Sequence, residues 1–187
     1  MAMSVAEVPR DQKRARIEEA ATALFLQKGV AQTSVGEIAR AACVAKGTFY
    51  LYFKDKQALV DKVVAEKGGE TLCRAIERTR RAGCADRPAA AARFCECLID
   101  FYAENPPVLR FIARGGQGTC LLHGELLDPL EGLLSLPGES EEQSRNRLTV
   151  MLDFLITACY RSIIEGQPAS IEVIKPLLLQ TVAGIYR

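Results

Sequence analysis

The 187-residue chain has no tryptophan, one histidine (His123), three methionines and no run of about 18 uninterrupted apolar residues. Without such a run no membrane-spanning helix is expected. Residues 1–10 lack the apolar stretch of a signal peptide, so the expected location is cytoplasmic. A single histidine removes the commonest metal ligand and proton carrier from most conceivable sites. Seven cysteines are present (Cys43, Cys73, Cys84, Cys95, Cys97, Cys120 and Cys159), but none forms a CxxC pair. Cys95 and Cys97 would project about 200° apart on a helix and could not chelate one ion. No metal and no cofactor is expected, and the thiols read as small buried hydrophobes. With no nucleophile elbow either, an enzyme is not expected. Neither charge sign is in excess: 24 Lys plus Arg stand against 23 Asp plus Glu. That excludes a uniformly basic nucleic-acid coat protein.

What is present suffices for a core. Hydrophobic residues make up 49% and charged residues 25%, and a chain of this size buries about 70% of its unfolded surface. Charge is uneven: residues 1–67 carry 11 basic and 8 acidic side chains, residues 68–187 carry 13 and 15. A basic head on an acidic body directs attention to the head for an anionic partner.

Helical periodicity runs through the sequence, and no alternating run suggests a sheet. Ile17, Ala20, Ala21, Leu24 and Phe25 form one stripe that Gly29 is placed to end. Thr33 and Ser34 offer hydroxyl caps to a short helix carrying Val35, Ile38, Ala39 and Ala42. A third helix is expected over Lys46 to Phe53, and Asp55 can cap a long fourth one. Gly68-Gly69 is the expected place for that helix to bend or break. Further stripes follow: Phe94, Cys97, Leu98, Phe101 and Tyr102; then Leu148, Met151, Leu152, Leu155, Ile156, Cys159 and Ile163; then Ile174, Leu177, Leu178, Thr181, Val182 and Ile185.

Four of the twelve aromatics, Phe49, Tyr50, Tyr52 and Phe53, fall within five residues. At about 100° per residue, Phe49 and Phe53 share a face that can anchor the third helix, while Thr48 and Tyr50 turn toward solvent. Lys46, Lys54 and Lys56 surround this display. A bolted-down helix after a tight turn, presenting hydroxyl, aromatic and ammonium groups, suits helix-turn-helix recognition of the major groove.

The run from Thr33 to Lys56, with its Lys46-Gly47-Thr48-Phe49-Tyr50 core and Tyr52-Phe53-Lys54-Asp55-Lys56 continuation, resembles the DNA-binding signature of the TetR family of transcriptional regulators. The resemblance covers Arg14 through Leu59. It implies an all-α fold in which a three-helix DNA-binding domain (residues 1–55, with the start of helix four to about 67) joins a larger helical effector-binding and dimerisation domain (56–187). It implies that Thr33 binds a phosphate at the start of helix two. Lys46 and Thr48 would lie at the leading end of the recognition helix, and Gly47 would let the backbone approach DNA. Tyr50 and Tyr52 would contact phosphate or a thymine methyl, and Lys56 would pin the DNA backbone. Two positions depart from the family: Cys43 stands where glycine is common, and Ala45 where a capping serine is common. Cys43 also brings a thiol near the DNA surface.

One recognition helix reads too few base pairs to select a site, so a homodimer on an inverted repeat is expected, meeting through residues 140–164 and 171–186. The same apolar stripes could instead close the protomer's own core. Similar proteins are repressors released by a small-molecule effector. The expected pocket comprises Phe94, Leu98, Phe101, Tyr102, Phe111 and Leu122, with Arg110, Arg114 or His123 as polar contacts. The competing expectation is a helical protein-interaction module without DNA specificity.

Overall fold

Ile17, Ala21 and Phe25 recur at helical spacing and are almost fully buried, and they build α1 (Arg10–Lys28). Gly29 ends it at φ +85°, its N–H bonded to the Phe25 carbonyl at 3.0 Å. The computed structural model describes residues 10–115 and 127–186. Among them every regular element is helical, in keeping with the all-α expectation. Two compact units emerge, Met1–Val63 and Val64–Arg187.

In the first unit α2 (Val35–Ala41) packs on α1, and α3 (Lys46–Tyr50) packs on α2. Ser34, not Thr33, caps α2. Its hydroxyl accepts the Glu37 N–H at 3.2 Å, and the Glu37 carboxylate accepts the Ser34 N–H at 2.9 Å, completing a capping box. α3 is five residues long, shorter than the expected Lys46 to Phe53, because the chain passes into a turn at Leu51 and Tyr52. α4 (Lys56–Ala82) starts where the Asp55 carboxylate accepts the Ala58 N–H at 2.8 Å. The expected interruption at Gly68-Gly69 does not occur: both glycines are buried within an unbroken 27-residue helix. Two glycines cost about 2 kcal/mol against alanine, too little to open a ladder that continues for three turns on either side.

The second unit is built around α5 (Arg87–Glu104), which packs against α6 (Pro106–Gly115), α7 (Leu127–Leu134), α8 (Glu141–Cys159) and α9 (Ile171–Ile185). α8 runs on into a wider π-helical turn at Tyr160–Ile164. Phe94, Cys95, Leu98 and Tyr102 of α5 interlock with Leu148, Met151, Leu152, Leu155 and Cys159 of α8 and with Leu178 and Val182 of α9. Lys175 ties α9 to α5 between Asp100 (2.5 Å) and Glu96 (3.5 Å). Glu139 and Arg147 form a two-pronged ion pair with both contacts at 2.7 Å, and the guanidinium lies 4.6 Å from the Tyr186 ring centroid.

Candidate nucleic-acid interface

The head displays its third helix by holding it from behind. Phe49 is fully buried and Phe53 nearly so, their ring centroids 5.8 Å apart, and the Arg14 guanidinium lies over the Phe53 ring at 5.7 Å. Tyr50 sets its ring edge-on to Phe49 at 5.2 Å while remaining 52% exposed. Lys46 and Gly47 are exposed, and Thr48 and Tyr52 are half-buried. A methyl group added at Gly47 would meet no atom of the chain, so nothing inside the protein requires a glycine there.

Two expected contacts are corrected. Thr33 is 1% exposed and its hydroxyl donates to the Gly29 carbonyl at 2.8 Å, so it has no group to offer a phosphate. Lys56 directs its ammonium inward to the Val30 and Thr33 carbonyls at 2.9 and 3.0 Å. With two of three donors engaged, it fastens the loop before α2 to the start of α4 and thereby positions the surface it was expected to touch. Leu51, which the sequence pattern left unremarked, is the most exposed large apolar side chain among the described residues, at 73%. Its register opposite Phe49 and Phe53 was the available signal.

Charge on this face is positive and uncommitted. Arg40, Lys46 and Lys54 are exposed and enter no ion pair among the described residues. The nearby acids are occupied: Asp55 caps α4, and Glu37 pairs with Lys28 at 2.5 Å. The Lys28 contact, reinforced by the Ser34 N–H and hydroxyl, holds the Glu37 carboxyl down at about 2.

The turn before α3 bears out its two departures in structural terms. Cys43 takes a left-handed φ of +52°, and Ala45 caps α3 with no side-chain hydrogen bond. Cys43 and Cys73 are exposed thiols, whereas burial pushes the Cys95 and Cys159 thiols up to about 12, which makes them inert. Among the described residues no cluster of His, Cys, Asp or Glu could hold a metal ion, and no helix is long and apolar enough to cross a membrane.

In the body, the residues of the expected effector pocket differ in exposure. Phe94, Leu98 and Tyr102 are at most 1% exposed and belong to the core that α5 shares with α8 and α9, and Phe111 is 5% exposed. Arg110 is exposed on α6. Leu122, His123 and the side chain of Arg114 lie outside the described residues. Phe101 alone of the nine borders a described cavity, one of about 300 Å³ shared with Thr71, Arg74, Arg78, Cys97 and Asn105. The Arg74 guanidinium stands 6.0 Å from its ring. A second cavity of about 370 Å³ lies between Arg80, Cys84, Arg87 and Leu133.

Comparison with known proteins meets this geometry at the head. Residues 17–63 match the model described as "Bacterial regulatory proteins, tetR family". The HTH-type transcriptional regulator AcrR of Shigella flexneri is 48% identical over 50 residues, which is 27% of this chain and 23% of that protein. An uncharacterised HTH-type transcriptional regulator of Bacillus subtilis, YuxN, is 49% identical over 49 residues, 26% of this chain and 17% of that protein. The matched stretch thus spans less than a quarter of these relatives. Whole-chain likeness is one of fold. A TetR transcriptional regulator from Rhodococcus sp. RHA1 superposes with a TM-score of 0.70 at 14% identity, over 94% of this chain and 96% of that one. The regulator FadR from Bacillus subtilis, solved in complex with stearoyl-CoA, gives 0.62 at 20% identity over 93% and 100%. Residues 17–63 thus carry the helix-turn-helix signature of the tetR family of bacterial regulatory proteins, and the chain as a whole shares its fold with solved TetR regulators.

Proposed function

We propose that this protein is a sequence-specific transcriptional repressor that binds an inverted-repeat operator as a homodimer and is released by a small molecule. The observation that carries the reading is the outward face of α3. Lys46, Gly47 and Tyr50 are exposed while Phe49 is buried, with the unpaired cations Arg40 and Lys54 in the same unit and Glu37 paired to Lys28. Lys46, Tyr50, Thr48 and Tyr52 are the DNA contacts on this reading, and Gly47 is the point of closest backbone approach. Thr33 and Lys56 support the surface from behind.

Self-association is supported by an apolar face that the protomer leaves uncovered. Val150 (68% exposed) and Phe154 (42%) on α8, with Val173 (60%), Leu177 (57%) and Ile185 (40%) on α9, lie outside the stripes that close the core. Exposed apolar groups concentrated on two neighbouring helices mark an interaction surface. A C2 pairing of α8 and α9 would cover them and set two recognition helices on one duplex.

Release by an effector is supported by the likeness in fold to FadR, which was solved with stearoyl-CoA. The cavity beside Phe101, whose lining combines an aromatic ring with Arg74 and Arg78 and with the carboxylates of Glu77 and Glu104, is the candidate site for a small amphipathic ligand. Such a ligand acts only through unequal affinity for the DNA-bound and free states, and a tenfold loss of operator affinity needs about 1.4 kcal/mol.

Selection of bound duplexes from a random pool tests the core of this reading. An enriched palindrome is expected, with log affinity falling steeply as log salt rises. A pool without enrichment, bound with little salt dependence, would favour a protein-interaction module. In sedimentation, the wild type should run as a dimer and a Phe154→Asp, Leu177→Asp double variant as a monomer.

A further inference from the structure

The register of α3 sets one residue apart. Backbone angles stay helical through Leu51 (φ −75°, ψ −21°), so the wheel of about 100° per residue extends to it. Leu51, the C-cap two positions after the buried Phe49, lies about 160° from it around that wheel, on the outer side. Gly47 is one turn earlier on the same ridge, where an added methyl group would meet nothing. The ridge is therefore bare backbone at one end and a 73% exposed leucine at the other. Tyr50 flanks it on one side, and Lys46 and Lys54 bound it along the chain.

A branched apolar side chain at that apex makes no contribution to the protomer's core, and any surface that approaches close enough to use the bare backbone at Gly47 must also meet Leu51. In the floor of the major groove the projecting apolar group is the C5-methyl of thymine, whereas the other base edges offer donors and acceptors that leucine cannot satisfy. We infer that Leu51 is a specificity-determining residue that reads a thymine methyl in each half-site, resting on the DNA-binding reading above. The flanking lysines contact phosphates and fix the register, and leucine converts that register into a preference at one base pair. Polar edges placed under Leu51 would be desolvated without a partner, so discrimination comes from rejection as well as contact.

The test uses the full-length protein and the duplex enriched from the random pool. Each thymine is replaced in turn by deoxyuridine, which removes the methyl and leaves base pairing unchanged. The wild type should lose about fourfold in affinity at one symmetry-related thymine per half-site, the worth of one buried methyl. The Leu51→Ala protein should bind the thymine and deoxyuridine duplexes equally at that position, while keeping the wild-type melting temperature, since the side chain is solvent-exposed. An enriched duplex that tolerates deoxyuridine everywhere would overturn the inference and leave the DNA-binding reading standing. So would the same fourfold loss in the Leu51→Ala protein. Failure to enrich any duplex would overturn both.

Discussion

The head and the body place apolar residues in different ways. In the head each helix has one apolar stripe, and all of them close one small core: Ile17, Ala21 and Phe25, then Ile38 and Ala39, then Phe49 and Phe53. Its third helix has only five residues, so Phe49, with Phe53 just beyond the helix end, uses up its inner side and the remainder is free for a partner. In the body, α8 and α9 are 19 and 15 residues long and are apolar on two sides. Leu148, Met151, Leu155, Leu178 and Val182 face inward, while Val150, Phe154, Val173 and Leu177 face outward. A short helix with one stripe declares its function by what remains exposed; a long helix with two stripes declares at first only its interior.

The sharpest way to break this comparison is to remove an anchor. Phe49→Ala deletes a fully buried ring and should destabilise the head by about 3–5 kcal/mol. Hydrogen exchange should then show lost amide protection in α1, α2 and α3 with protection in α5, α8 and α9 retained. Uniform loss along the chain would show that the two units do not have separate cores.

A smaller effect separates the two regions by their ion pairs. Glu37 in the head and Glu139 in the body are both held at about 2, the first chiefly by Lys28 and the second chiefly by Arg147. Their surroundings differ: the side chains of Arg147 and Glu139 are only 13% and 15% exposed, against 32% and 38% for Lys28 and Glu37. Solvent screening weakens the more exposed Lys28–Glu37 pair. Glu139→Gln should cost about 2 kcal/mol at neutral pH, and Glu37→Gln clearly less. Each folded-state value lies below the ordinary carboxylate value of 4.5, so each contribution is complete above that pH and is lost as pH falls toward 2. Urea melts at pH 7, 4.5 and 3 should show the gap between wild type and Glu139→Gln narrowing with acid. A gap that is constant or widens would mean the pair is held by something other than its charge.

These contrasts also explain what could be read from the sequence. The helix starts at Ser34, Asp55 and Ser140 and the stop at Gly29 are written in single residues with one stereochemical use, and all are found in the fold. Thr33 was misassigned because two adjacent hydroxyls look alike as caps until backbone geometry chooses between them. Phe94, Leu98 and Tyr102 could not define a pocket from sequence, because a stripe of large side chains is the same pattern whether it fills a core or lines a cavity. Of the outward face of α8 and α9, Leu177 and Ile185 stood in the expected stripe of the last helix, whereas Val150, Phe154 and Val173 did not, because the stronger inward stripe dominates the periodicity. Leu51 was missed for the opposite reason: one apolar residue forms no period at all.

The smallest expected effect lies in the turn before α3, where the head departs from the pattern of the family it resembles. Ala45 is the N-cap in an extended conformation (φ −67°, ψ 146°) and makes no side-chain hydrogen bond. A serine hydroxyl at that position would reach the Thr48 N–H, so Ala45→Ser should stabilise the head by about 1 kcal/mol. Cys43 occupies left-handed backbone at φ +52°, and Cys43→Gly should relieve about 1 kcal/mol of that strain, less the backbone freedom glycine adds to the unfolded chain. The serine is therefore the larger of the two gains, and the variants should add, because they relieve separate costs. Thermal melts of the single and double variants read this directly. If the strain in the turn also limits how firmly α3 is presented, operator affinity should rise in the same order; a rise in melting temperature with unchanged affinity would show that Phe49 and Phe53 alone fix the recognition surface.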